Sequence, residues 1–235
     1  LENDPRLVRG RELWTVGRYE EAEVEFYDIL TAYEQDGLAS YQLAIIFRSI
    51  GAYAPSITGA ANVLRAANVS TLDAPAYIAR MRYPTYYRDV VLDVAQRRNV
   101  DPLLIFSLIR HESLFDTYAT AAAGEKGLTQ VIPSTGEYIA SQINFPDYQH
   151  SDLFRPYAGI EFGAYYLSEQ LQSFDNNVVA ALSGYNAGPG RAATWLELSG
   201  GDPDLFLNTI TIESTQIYIQ RIYSYYSVYR ALYGA

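Results

Sequence analysis

The sequence predicts a mainly α-helical chain in two parts, a helical repeat segment over residues 1–80 and a larger domain over residues 81–235. Three observations support this prediction. Apolar residues recur at helical spacing in most segments, a displacement of 34 residues relates two stretches near the start, and Pro75 and Pro84 mark where that relation ends. Patterns typical of strands are short, so we expect little β-structure.

The repeat is visible in glycine, tyrosine and leucine positions of the first eighty residues. Gly17 and Tyr19 recur as Gly51 and Tyr53, and Leu30 recurs as Leu64. A set of apolar and small residues there also resembles the first-helix pattern of tetratricopeptide repeats: Leu13, Trp14, Gly17, Tyr19, Ala22 and Phe26. Two copies do not complete a solenoid, so we expect these helices to support the following domain. The alternative is a groove that binds a peptide of a protein partner.

The second part contains seven predicted helices: 86–98, 102–113, 134–142, 157–174, 177–185, 191–198 and 215–233. Gly159 and Gly163 lie one turn apart in the fourth of these helices, which predicts close packing of this helix against another helix.

The most informative residue is Glu112, at the end of the helix predicted over 102–113. Asp101 is a favourable N-cap for this helix and Pro102 suits its first position. Leu108 and Ile109 belong to an apolar stripe, and Glu112 follows them by four and three residues. A carboxylate beside this stripe loses solvation, and the negative end of the helix dipole also disfavours its charge. Both effects raise the pKa of Glu112, as a general acid requires near neutral pH.

Two motifs follow Glu112 in a fixed order. Residues 124–133 read Gly-Glu-Lys-Gly-Leu-Thr-Gln-Val-Ile-Pro, and residues 185–190 read Tyr-Asn-Ala-Gly-Pro-Gly between two helical patterns. Together with Glu112–Ser113, these motifs resemble the soluble lytic transglycosylase family, whose members have a lysozyme-like catalytic domain and cleave bacterial peptidoglycan. The resemblance covers about residues 82 to 235.

The resemblance implies a function and roles for individual residues. The expected reaction cleaves the β-1,4 bond between N-acetylmuramic acid and N-acetylglucosamine and leaves a 1,6-anhydromuramoyl product. Glu112 is then the catalytic acid and base, without a cofactor. The expected substrate-binding residues are Gln130, Ile132, Tyr185, Asn186, Glu213 and Tyr218. Gln130 has an alternative role in holding its own turn together, and Asn186 in fixing its loop.

This sequence departs from the family pattern at several positions. Family members often have serine at Ala121, alanine at Glu125, and methionine at Thr129 and Ile132. We expect Ala121 to remove a hydroxyl near the catalytic carboxylate, and the changes at Glu125, Thr129 and Ile132 to reshape the sugar cleft. Glu125, between two glycines, is also expected to be exposed. Near the C-terminus, alignment on Tyr218 puts Ser214 where the family has glutamate, with Glu213 one residue early. One residue rotates a helical side chain by about 100°, so Glu213 reaches the cleft only if the chain is locally irregular, which we favour.

Composition and charge limit the partners. A net charge of −10 without a basic cluster argues against nucleic acid. The two histidines, His111 and His150, are too isolated to suggest a zinc site, and no apolar run is long enough to span a membrane. The expected partner is a peptidoglycan strand. The expected location is therefore the cell envelope, periplasmic or extracellular, although this chain carries no export signal.

Two other functions fit parts of the sequence. A lysozyme-like hydrolase would use the same acid with water as the nucleophile. A non-catalytic glycan-binding scaffold would explain the altered positions Ala121 and Ser214. The products formed from peptidoglycan distinguish all three functions.

Overall fold

The computed structural model describes residues 1–234, and for positions 203 and 204 it describes the backbone alone. Within this range the chain is helical and has no strand, only two isolated β-bridges around Lys126. The mainly α prediction is therefore confirmed. The chain forms two compact units, one of Leu1–Tyr86 with Leu114–Tyr118 and the last residues from Ala231, the other of Tyr87–Ser113 with Ala119–Arg230.

The first unit begins with two helical hairpins. Their helices are α1 (Pro5–Thr15) with α2 (Tyr19–Ala32), and α3 (Gly37–Ser49) with α4 (Tyr53–Ala66). The turn between α1 and α2 and the turn between α3 and α4 are 34 residues apart in the sequence. Each contains a glycine, Gly17 (φ 79°) and Gly51 (φ 80°), with the left-handed backbone that glycine favours. The residues compared with one tetratricopeptide helix are in fact divided between α1 and α2, so the assignment to that repeat family stays a prediction.

The hairpins enclose a shared apolar core. Phe26 and Phe47, from different hairpins, are fully buried with ring centroids 4.5 Å apart. Trp14 Nε1 donates to the Ile50 carbonyl at 2.8 Å. The unit also contains α5 (Ala76–Arg82). It includes the segment 114–118, where the Tyr118 ring stacks on Tyr19 with centroids 3.6 Å apart.

Helices of the second unit agree with the predicted ranges to within two residues at each end. They are α6 (Arg88–Arg98), α7 (Pro102–Ser113), α8 (Pro133–Gln142), a 3-10 helix (His150–Phe154), α9 (Pro156–Ser173), α10 (Val178–Ala187), α11 (Pro189–Leu198), α12 (Pro203–Thr209) and α13 (Glu213–Tyr233). The sequence predicted neither the 3-10 helix nor α12, and the agreement concerns the other seven helices. The last residues of α13 belong to the first unit.

Helix α9 is central to the second unit and packs against α6, α8 and α10. Its two glycines permit close approach, although the segments that approach them are the 3-10 helix and the loop of Leu128 and Thr129 rather than another α-helix. A Cβ on Gly159 would lie 2.9 Å from the Leu153 carbonyl oxygen, and one on Gly163 would lie 2.4 Å from Thr129 Cβ. Glu161 of α9 is buried and forms ion pairs with Arg97, at 2.6 Å, and with Arg98.

Over the described residues, no helix combines the length and the apolar character needed to cross a membrane.

Candidate active site

Helix α7 places Glu112 at the edge of a cleft. Asp101 Oδ1 accepts a hydrogen bond from the Leu103 backbone N–H at 2.8 Å, which starts the helix as the sequence predicts. Leu108 and Ile109 are fully buried and fix the orientation of the last turn. Glu112, one turn later, remains partly accessible. Its carboxyl group is therefore held by a rigid helix and can still meet a substrate.

The surroundings of Glu112 favour its protonated form. Burial raises its pKa to about 8. This value includes two smaller effects: the hydrogen bond from the Tyr218 hydroxyl, 2.6 Å from Glu112 Oε1, lowers the pKa, and the nearby charge of Glu125 raises it. The loss of solvation is the largest of these effects. Glu112 therefore holds a proton near neutral pH and can donate it.

The segment that contains the first motif after Glu112 is fastened to the end of α7. The Ser113 hydroxyl donates to the Leu128 carbonyl at 2.9 Å. Gly124 (φ 84°) and Gly127 (φ 74°) make the turns, and Lys126 bridges to both Thr120 and Val131. A Cβ on Gly127 would lie 2.2 Å from the Leu153 carbonyl oxygen, so this position requires glycine.

Gln130 has a left-handed backbone (φ 48°) in this segment and lines the cleft. Its Nε2 donates to two carbonyls of the same loop, Gly127 at 2.9 Å and Ala119 at 3.1 Å. The structure thus shows the turn-holding interaction that the sequence left as an alternative, and it places the same side chain at the cleft wall.

Glu125 is not fully exposed, contrary to the sequence prediction. Its side chain is half-buried and lines the same cavity as Glu112. The turn fixes it, because Glu125 Oε2 accepts from the Ala123 N–H at 2.8 Å. His150 Nε2 lies 2.7 Å from the Gly124 carbonyl oxygen and holds the turn from the other side. The cleft therefore contains two carboxyl groups.

The last of the three motifs is a junction between helices rather than the loop that the sequence predicted. Tyr185 and Asn186 belong to the last turn of α10, and only Gly188 (φ 90°) separates this helix from α11, which begins at Pro189. The Tyr185 hydroxyl donates to the Thr129 carbonyl at 2.9 Å. This bond connects the end of α10 to the loop that carries Gln130.

The expected cleft position of Glu213 is wrong. Helix α13 begins at Glu213 and is regular, and both Glu213 and Ser214 are exposed and do not line the cavity. Thr215, in the same turn of α13, contacts α10 instead. It is buried, and its hydroxyl donates to Asn186 Oδ1 at 2.7 Å. One helical turn further, the same helix supplies Tyr218.

A cavity of about 510 Å³ brings most of these residues together. It is lined by Glu112 and, among the predicted substrate-binding residues, by Gln130, Ile132, Tyr185 and Asn186. Tyr218 is buried and reaches the cavity only through its bond to Glu112. Thr129, expected to reshape the cleft, is also buried. It packs on Gly163, and its hydroxyl donates to the Gly159 carbonyl.

Sequence reasoning missed two further residues of this wall, Thr135 of α8 and Tyr166 of α9. The Tyr166 ring lies 5.3 Å from that of Tyr185. Tyr166 follows Gly163 by three residues, so the two residues lie on the same face of α9. The spacing of the glycines in the sequence therefore indicated the face that carries Tyr166.

Neither histidine takes part in a metal site among the described residues, where no group of three potential ligands occurs. Burial lowers the pKa of His111 to about 4, and its ring contacts the Tyr218 ring edge-on at 4.7 Å. His111 therefore stays neutral near pH 7 and packs against the tyrosine that is bonded to Glu112.

Comparison with known proteins identifies the family. Residues 89–205 match the family described as Transglycosylase SLT domain. The chain is 31% identical over 156 residues to the soluble lytic murein transglycosylase of Salmonella typhimurium, an alignment covering 65% of this chain and 24% of that protein. The chain thus spans about a quarter of the length of the curated relatives it matches.

Solved structures show the same fold. An inactive variant of the lytic transglycosylase Slt from Pseudomonas aeruginosa superposes with a TM-score of 0.80 at 26% identity, covering 97% of this chain and 36% of that one. The 70-kDa soluble lytic transglycosylase of Escherichia coli gives 0.82 at 24% identity, with the same coverage. With its transglycosylase SLT domain and its mainly α, lysozyme-like architecture, the chain belongs to the soluble lytic transglycosylase family.

Proposed function

We propose that this protein is a peptidoglycan lytic transglycosylase that cleaves the β-1,4 bond between N-acetylmuramic acid and N-acetylglucosamine. The observation that carries the proposal is the position of Glu112, which lines the cavity, accepts a hydrogen bond from Tyr218 at 2.6 Å and has a pKa raised to about 8, mainly by burial. The names of the similar proteins support it. The Pseudomonas variant described as inactive has glutamine in place of a glutamate, in keeping with a required glutamate in that relative.

In the first step, Glu112 donates its proton to the glycosidic oxygen as the bond to the muramoyl C1 breaks. The carboxylate left behind accepts the Tyr218 hydrogen bond, which stabilises its charge. The acetamido group of the substrate supports the positive anomeric carbon. The leaving sugar departs with its hydroxyl restored.

In the second step, the ionised Glu112 takes the proton from the muramoyl C6 hydroxyl while that oxygen attacks C1. The product is a 1,6-anhydro sugar, and no water is consumed. The nucleophile belongs to the same sugar, so its proximity replaces the activation that a second carboxylate would supply. One carboxyl group thus acts as acid and then as base.

A hydrolase is the second candidate, and a specific observation favours it. Glu125 lines the same cavity as Glu112, and most hydrolytic glycosidases use a pair of carboxyl groups in catalysis. Glu125 would then activate a water molecule in place of the C6 hydroxyl. We favour the transglycosylase because Glu125 Oε2 is already engaged by the Ala123 N–H and because the similar proteins carry that name.

Peptidoglycan as the substrate implies action in the cell envelope, periplasmic or extracellular. The protein contacts this substrate through the cleft of the second unit. The similar turns at Gly17 and Gly51 motivate a separate proposal, that the helical hairpins bind a protein partner.

Mass analysis of digested peptidoglycan tests the proposal. Purified sacculi are incubated with the protein and with the Glu112→Gln variant, and the soluble fragments are separated and weighed. A transglycosylase releases fragments that lack a reducing end and are lighter by one water than the hydrolytic products. Fragments with reducing muramic acid ends would show a hydrolase. Binding to sacculi without any release would show a scaffold.

A further inference from the structure

The direction of the Asn186 amide is fixed by a residue behind it. Asn186 is exposed at the end of α10 and lines the cavity that contains Glu112. Its Oδ1 accepts a hydrogen bond from the Thr215 hydroxyl at 2.7 Å, and Thr215 is only 1% exposed. Nδ2 donates no hydrogen bond to the described residues. Because the amide oxygen is held against a buried hydroxyl, the nitrogen with its two N–H donors is the end that a ligand can reach.

Gln130 is fixed in the opposite sense. Its Nε2 has two N–H groups, and both are used, by the Gly127 carbonyl at 2.9 Å and the Ala119 carbonyl at 3.1 Å. Its Oε1 accepts no hydrogen bond from the described residues and is not one of the buried polar atoms that lack a partner. The free end of this side chain is therefore an accessible acceptor. The cavity contains one amide that offers donors and one that offers an acceptor.

A secondary amide has the complementary groups. Its C=O can accept from Asn186 Nδ2, and its N–H can donate to Gln130 Oε1. The two side chains come from different parts of the wall, the loop before α8 and the end of α10. A hydroxyl would require both side chains to meet at one oxygen atom, whereas an amide carries its donor and its acceptor on separate atoms. The arrangement therefore fits an amide better than a hydroxyl.

The same cavity offers apolar surface to the carbon atoms beside such an amide. Val131, Ile132 and Ala187 line it, and Ile132 is 38% exposed. Apolar side chains of this kind favour the burial of a methyl or methylene group. The cavity thus matches a neutral amide that carries a small apolar substituent.

We propose that Thr215 is a positioning residue, which directs the donors of Asn186 into the cleft so that Asn186 and Gln130 together bind a secondary amide of the substrate strand. Thr215 acts through Asn186 and does not itself line the cavity. The inference rests on the proposed function and adds a specificity element to it. A peptidoglycan strand offers two sources of this group, the acetamido groups of its sugars and the peptide bonds of its stem peptides.

Three soluble probes distinguish these sources. They are tetra-N-acetylchitotetraose, cellotetraose, which has a hydroxyl in place of each acetamido group, and a stem tetrapeptide without sugar. The Kd of each is measured by calorimetric titration of the Glu112→Gln protein, which binds without turnover. We expect the acetylated tetramer to bind at least about fivefold more tightly than cellotetraose, the size of two neutral hydrogen bonds. Peptide binding that weakens in the variants described next would instead assign the peptide bond.

Variants at Thr215 test the positioning. Thr215→Val keeps the shape and removes the hydroxyl, so the Asn186 amide can turn, and the preference for the amide-bearing probe should fall about threefold to tenfold. Thr215→Ser keeps the hydroxyl and should keep the preference. Ser214→Ala is the matched control, because it removes an exposed hydroxyl of the same turn that does not line the cavity. Affinity for cellotetraose should stay the same in all three variants. Equal weakening of all probes in Thr215→Val would show that Thr215 only supports the fold, and would overturn the inference.

Asn186→Asp tests the polarity at an exposed position. The carboxylate still accepts from Thr215 but presents an oxygen in place of Nδ2, so the preference for the amide-bearing probe should be lost. A preference that survives in either folded variant, Thr215→Val or Asn186→Asp, would overturn the inference, as would a protein that shows no preference for an amide.

Turnover is measured separately, as the release of soluble fragments from sacculi by the wild type. Release without any amide preference would refute the amide site and leave the proposed function intact. An amide preference without release would count against the proposed function and leave the amide site standing.

Discussion

The Tyr218 hydroxyl donates to Glu112 Oε1 at 2.6 Å, across 106 residues of sequence. This bond joins the end of α7 to the second turn of α13. It stabilises the ionised form of an acid whose burial favours the neutral form. The two opposing effects leave Glu112 able to give up a proton and to take one back, which the proposed reaction requires in succession.

Replacing Glu112 with glutamine should abolish turnover and stabilise the fold at alkaline pH. Loss of a general acid costs about 10²–10⁴ in rate, and here the same group also serves as base. The pKa of Glu112 is raised from 4.5 to about 8 in the folded state. The free energy of unfolding of the wild type, relative to that of the variant, is therefore highest below pH 4.5 and is lost as pH rises through 8. Thermal melts at pH 5 and pH 9, with rates on sacculi, check both effects. A folded variant with near-normal turnover would refute the role.

Tyr218→Phe should move the alkaline limb of the pH–rate profile to higher pH. The variant loses the hydrogen bond that lowers the pKa of Glu112, so the acid stays protonated to a higher pH. Turnover at the optimum should fall about tenfold because the carboxylate formed in the first step loses its donor. An alkaline limb that stays in place would show that Tyr218 only packs.

Glu125→Gln should move the same limb in the opposite direction. The negative charge of Glu125 raises the pKa of Glu112, so its removal lets Glu112 ionise at lower pH. Turnover at the optimum should change less than about threefold if Glu125 takes no part in the chemistry. A loss of about a hundredfold or more would favour the hydrolytic reaction, in which Glu125 activates water.

Glu23→Gln should stabilise the unit that contains it at alkaline pH. Burial raises the pKa of Glu23 to about 8, with smaller contributions from the charges of Asp116 and Glu20, and its Oε1 has no hydrogen-bond partner in the described residues. The free energy of unfolding of the wild type, relative to that of the variant, is therefore highest below pH 4.5 and declines as pH rises through 8. Thermal melts should separate by several degrees at pH 9 and coincide at pH 5. The exposed acid Glu12, replaced by glutamine, is the control, and an equal response of both variants would contradict the assignment.

Much of this site could be predicted from local patterns. Asp101, Pro102 and the apolar stripe predict both the bounds of α7 and the buried setting of Glu112, because caps and helical periodicity are local properties. The other predicted helices of the second unit follow from the same periodicity.

The errors arose where distant segments meet. Glu125 sits in a polar turn and was expected to be exposed, but His150 holds that turn against the cleft. Family alignment predicted that Glu213 lies in the cleft. In the regular helix α13, however, it is Thr215 that contacts Asn186. The direction of the Asn186 amide has no signature in sequence at all, since it depends on a hydroxyl 29 residues further along the chain.

Digestion of peptidoglycan in water labelled with heavy oxygen tests the central claim most directly. In the proposed reaction the C6 hydroxyl of the muramoyl sugar attacks C1 and Glu112 only transfers protons, so no solvent oxygen enters the product. We predict anhydromuramoyl ends without label, formed by the wild type and absent with Glu112→Gln. Reducing muramic acid ends that carry the heavy oxygen would contradict the account and show that water is the nucleophile.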